Sequence, residues 1–227
     1  MTRELLNHQM SNLQEEILLL GSMVEQAILD VMQALKLRDT QSAREIYERD
    51  QDINDKRYAI ENAVLIVIAT QQPIAHDLRQ LTAMLEIITE LERMGDYAKG
   101  IAKVIVRLGD TPIQIPLRDL NRMAELGVSM FHRALTAFIE ENPNQASQIP
   151  TEDNEVDDLY NKVYLELING MIADPTTIDQ QSLILWIDHN LERFSDRVTN
   201  ICERTVFIAT GELLEMDSAD DEDLMSG

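Results

Sequence analysis

Glu92 and Asp96 stand four residues apart, and Glu192 and Asp196 repeat the arrangement one hundred residues later. On a helix that spacing puts both side chains of a pair on one face, where their oxygens can converge on a single cation. A second pair of positions accompanies each: Asp50 with Asn54, and Asp153 with Asp157. The candidate ligand sets are therefore Asp50, Asn54, Glu92 and Asp96 in the first half, and Asp153, Asp157, Glu192 and Asp196 in the second. All-oxygen donors suit magnesium, manganese or iron, with zinc admissible, held as single ions or a multinuclear cluster. Sulfur ligation is excluded, because Cys202 is the only cysteine. A lone Glu-x-x-x-Asp is usually a solvated helix face. Arg93 and Arg193 could pair with neighbouring acids, and Arg57 could neutralise Asp50. Duplication is what lifts these carboxylates above the ordinary reading.

The elements that must position them are helices. Leu6, Met10, Leu13, Ile17, Leu20, Val24, Ala27, Val31 and Ala34 step by fours and threes, the 3.5-residue period of a left-handed bundle seam. Ile46, Ile53, Ile60 and Val67 repeat every seven residues, and the intervening core steps fall on Asp50 and Arg57. In the corresponding later helix Val156, Tyr160, Val163 and Leu167 mark the seam, and one step back lands on Asp153. Both halves thus place an aspartate where an apolar residue belongs. A buried unpaired carboxylate is costly, so a proton, a basic side chain or a metal must offset it. Glu92 and Asp96 flank the stripe through Ile88 and Gly95.

The chain repeats itself at an offset of about 100 residues. Met23, Glu25, Ala34 and Leu35 recur as Met123, Glu125, Ala134 and Leu135; Ile87, Leu91, Arg93 and Ile101 recur as Ile187, Leu191, Arg193 and Ile201. Such a period is too long for a solenoid and marks a duplicated domain. Each copy reads as three helices: to about residue 37, 41–70 and 74–108, then 117–140, 151–173 and 178–210. Pro143 and Pro150 leave room for a short extra turn. The fold class is all-α, two tandem pseudo-symmetric three-helix bundles with six long helices. Residues 1–109 form the first, residues 117–211 the second, and the Pro/Gly-containing segment 109–116 links them. Residues 212–227, with Asp217, Asp220, Asp221, Glu222 and Asp223, read as a disordered acidic tail.

A formal net charge of −22 repels nucleic-acid phosphates, and no basic stripe offsets it; no nucleic-acid partner is expected. No unbroken run of about 18 apolar residues is present, so no membrane insertion is expected. The single cysteine and the lack of a signal-peptide core point to the cytoplasm. A carboxylate-bridged di-iron enzyme would call for Glu-x-x-His pairs, yet none of His8, His76, His132 and His189 follows a glutamate by three residues. His76 and His189 read as surface or loop-proximal. The chain is expected to be no enzyme; the alternatives are such a di-iron enzyme or a metal-free helical interaction protein. Met and Leu on outer helix faces leave homodimerisation open.

Leu91-Glu92-Arg93-Met94-Gly95-Asp96 and Leu191-Glu192-Arg193-Phe194-Ser195-Asp196 resemble the paired signatures of the PhoU family, as does the 72–79 segment, Gln-Pro-Ile-Ala-His-Asp-Leu-Arg. The resemblance spans roughly residues 5–210. Phe194 and Ser195 replace the family's usual Ile-Gly, and Asn54 is neutral where the motif is acidic. The resemblance implies two three-helix bundles with metal clusters, iron in some members, on the paired acidic motifs. It also implies negative regulation of phosphate uptake and of the phosphate-starvation response, as an adaptor acting on the ATPase subunit of the phosphate ABC transporter and on the phosphate sensor histidine kinase.

Overall fold

The structure, a computed structural model, describes residues 2–216. Among them all regular structure is helical. The first bundle comprises α1 (Thr2–Leu37), α2 (Thr40–Gln71) and α3 (His76–Leu108). The second comprises α4 (Leu117–Ile139), a one-turn α5 (Pro143–Ala146), α6 (Asp153–Ala173) and α7 (Ile178–Thr210), with 3₁₀ turns at Ile149–Glu152 and Pro175–Thr177. The two prolines expected to break the chain after α4 each open one of the short turns before α6.

Local chemistry sets these boundaries. Arg38 turns the chain with a positive φ, and Asp39 then caps α2, its carboxylate accepting from the amides of Gln41 and Ser42, both at 3.0 Å. Those bonds hold the Asp39 carboxyl below its usual range. Gln72 and Ala75 adopt positive φ on either side of Pro73, so α3 starts at His76, two residues later than the periodicity suggests. Gly211 closes α7 in the left-handed conformation that glycine adopts without strain.

The α1 seam is buried as its period requires; Ala27 alone of the nine positions is only partly covered, and Ile28 beside it is fully buried. By length and composition α1 could cross a bilayer, a property hidden by the absence of an unbroken apolar run. However, 44% of its most apolar window is buried within the protein, as befits a core helix packed on α2 and α3.

The bundles meet along α3 and α7. Gly100 makes room there: a Cβ on it would lie 2.8 Å from Asn190 Oδ1. Polar clamps run down the seam. Glu90 of α3 accepts from Asn200 at 3.1 Å and from Arg197 at 3.4 Å, both on α7. Arg204 pairs with Glu86 at 2.9 Å, and Arg79 donates to the Ile208 carbonyl at 3.2 Å. Of the expected acidic tail, residues 212–216 are irregular, and the Met216 amide donates to Glu203 at 2.8 Å. Residues 217–227 lie outside the described residues.

Candidate metal centre

Asp50 and Asp153 are buried to the same degree, each 5% exposed, yet they are offset in different ways. In the first bundle α3 brings Lys99 to Asp50, with Nζ 2.6 Å from Oδ2 and 3.5 Å from Asp96 Oδ1. Asn54 donates to the same Asp50 oxygen at 2.9 Å. The hydrogen bond to Asp50, and then the fields of Asp50 and Asp96, hold the lysine ammonium above its usual range against the opposing effect of burial. Gly95 permits this approach of α3 to α2: a Cβ there would meet Ile53 at 3.1 Å and stand 3.8 Å from Asp50 Oδ1. Glu92 lies partly buried nearby, its carboxyl raised by burial and then by Asp96. Asp96 is largely exposed, at 49% of its side chain, where the stripe geometry places it farther round.

Arg57, the other core step of α2, is only partly buried and pairs with Glu61 at 2.8 Å. It is therefore not the cation that neutralises Asp50. That role falls to Lys99, which the spacing of the acids alone does not reveal.

The second bundle has Thr199 at the position of Lys99. Asp153 Oδ1 and Glu192 Oε2 are buried without a hydrogen-bond partner. Burial, followed by the fields of Asp157, Asp196 and Glu192, pushes the Asp153 carboxyl up to about 7. Burial raises Glu192 to about 7 as well, with Asp196 and Asp157 adding to the rise and Arg193 and Arg197 opposing it. These mutual effects place Asp153, Asp157, Glu192 and Asp196 in one electrostatic cluster between α6 and α7. Asp196 is pinned by Arg197 at 2.9 Å and Arg193 at 3.2 Å. His189, expected at the surface, is half-exposed, with Nδ1 3.5 Å from Glu192 Oε2.

The chain matches the model of the PhoU domain twice, over residues 17–105 and 120–205. It belongs to the PhoU family. A relative from Clostridium acetobutylicum, named phosphate-specific transport system accessory protein PhoU homolog, is 37% identical over 217 residues, covering 95% of this chain and 99% of its own. The protein of the same name from Streptococcus pneumoniae is 33% identical over 208 residues, covering 92% and 96%. The crystal structure of the phosphate transport system regulatory protein PhoU from Streptococcus pneumoniae superposes with a TM-score of 0.86 at 32% identity, over 92% of this chain and 99% of that one. The crystal structure of PhoU from Pseudomonas aeruginosa gives 0.84 at 28% identity, over 91% and 99%. The two PhoU segments contain residues 91–96 of α3 and 191–196 of α7, so each acidic signature lies in its own repeat.

The metal clusters implied for PhoU proteins can be tested against the side chains of each repeat. The first set does not call for a metal: Lys99 already supplies positive charge to Asp50, and Asn54 is neutral. The second set fits one, since Asp153 Oδ1 and Glu192 Oε2 are buried without a hydrogen-bond partner and the acids of the set raise one another. Among the described residues no three His, Cys, Asp or Glu side chains are already drawn to ligand spacing, so a cation would have to pull the acids together. The periodicity also overlooks Asp188, which stands at the position of Ile88 in the first repeat. It is fully buried, with both carboxylate oxygens unpartnered. An acid replacing an apolar residue on the α7 stripe is a signal present in the sequence.

Proposed function

We propose that this chain is an accessory regulator of phosphate transport, a non-enzymatic cytoplasmic adaptor that restrains phosphate uptake and the phosphate-starvation response. The observation that carries this reading is full-length similarity to proteins named as accessory or regulatory components of phosphate transport. The partners proposed are the ATPase subunit of the phosphate ABC transporter and the sensor histidine kinase of the phosphate response.

In this reading the second bundle carries the cation, and Asp153, Asp157, Glu192 and Asp196 hold it. When bound, the ion supplies positive charge that relieves the repulsion among buried carboxylates and can accept a further oxygen ligand from a docking partner. Arg197 ties Asp196 to Glu90 of the first bundle, so the acids of the second bundle are mechanically joined to the α3–α7 seam. An all-oxygen site favours manganese, magnesium or iron over zinc.

Elemental analysis and partner capture test the proposal. The E192A/D196A protein should purify with less metal than the wild type and retain less transporter ATPase and sensor kinase in a pull-down. Equal capture of both partners by the double variant would count against the adaptor mechanism. Unchanged phosphate uptake in a strain lacking the protein would count against the regulatory role itself.

A further inference from the structure

We propose that Asp188 is a cation ligand, forming with Glu192 a deeper half of the second-bundle site that the paired acidic motifs do not describe. This inference rests on the reading of that bundle as a metal centre.

Asp188 is 0% exposed, and neither of its oxygens has a hydrogen-bond partner. It precedes Glu192 by one turn of α7, so the two carboxylates project from the same face. Tyr160 of α6 lies within their field: its phenol is raised by burial first, then by Asp188 and Glu192. Protonation would remove the charge of Asp188 but leave its hydroxyl and carbonyl oxygens unpaired in the core, at a cost that a proton cannot offset. A cation satisfies charge and oxygens together. The first repeat carries Ile88 at this position, so the bundle fold does not itself require an acid there.

Helical geometry separates this half from the rest. Asp188 and Asp196 are eight residues apart, a rise of about 12 Å along α7. Side chains leaving one face at that separation cannot share an ion whose oxygen ligands lie about 2.0–2.6 Å away. Asp188 and Glu192, at about 6 Å of rise, can. Glu192 is the common member, since its charge acts on both Asp188 and Asp153.

The experiment is titration of the metal-free full-length chain with Mn²⁺, counting bound ions from the loss of the free-ion paramagnetic resonance signal. The wild type is expected to bind two ions per chain, and D188I and D188N to bind one. E192Q is expected to weaken both sites by tenfold or more. Retained helical circular dichroism shows that a variant is folded, and the isosteric D188N covers the case in which D188I is not. Wild-type binding that persists with the same count and affinity in D188I and D188N overturns the role of Asp188 and leaves the metal centre standing. A wild type that binds no Mn²⁺ overturns both.

Discussion

Lys99 Nζ lies 2.6 Å from Asp50 Oδ2, a pairing that has no counterpart in the second repeat. A lysine on α3 provides in the first bundle the positive charge that the second must obtain by other means. With Thr199 at the equivalent position, Asp153 keeps one buried oxygen without a partner.

Removing the lysine should expose that dependence. Lys99→Met leaves Asp50 buried beside Glu92 and should lower unfolding stability by about 1–3 kcal/mol, below the range for fully buried pairs because the lysine is 31% exposed. Asp50→Asn in the same background should recover most of the loss. Urea denaturation of the two single variants and the double variant measures both effects.

The metal-free protein should lose stability as pH rises from about 4 to 8. Burial raises the Asp153 and Glu192 carboxyls to about 7 and that of Asp188 to about 8, while the unfolded chain titrates near 4. Below that range the acids are protonated in both states and contribute nothing to the pH dependence. Within it the folded chain retains protons that the unfolded chain has released, so raising the pH favours unfolding. Chemical denaturation at both ends of the window should show the decline, and saturating Mn²⁺ should diminish it.

Arg197 joins Asp196 at 2.9 Å to Glu90 at 3.4 Å, and its side chain is only 14% exposed. Arg197→Ala should destabilise the protein by about 1–2 kcal/mol, because it removes one of two arginine partners from each of two carboxylates, leaving Arg193 on Asp196 and Arg93 on Glu90. Thermal melting reads the loss. Hydrogen exchange should show it concentrated in the facing turns of α3 and α7.

Cys202 is fully buried in α7, and burial pushes its thiol up to about 12. Only the thiolate reacts appreciably with alkylating agents. Iodoacetamide should therefore label the chain after denaturation and leave the native protein unmodified by mass spectrometry. Prompt labelling of the native form would contradict the packing of α7 against α4.

Helix type and approximate extent were legible because apolar residues recur at bundle spacing, and because Pro73, Pro116 and Pro175 punctuate the chain. Burial of Asp50 and Asp153 was legible for the same reason: each falls on a seam step, and a seam position faces its neighbours whatever residue occupies it. Doubling was legible from residue identity at a constant offset. What offsets each buried acid was not legible, since that depends on which side chains of another helix arrive within about 3 Å. The spacing offers Arg57 as the partner of Asp50, whereas the packing of α2 on α3 brings Lys99 there and leaves Arg57 to Glu61. Likewise Arg197 looks like a surface residue beside an acidic motif, and only the contact of α3 with α7 turns it toward Glu90. Periodicity specifies the face a residue occupies on its own helix; the partner it meets is decided by how two helices are rotated and aligned against each other.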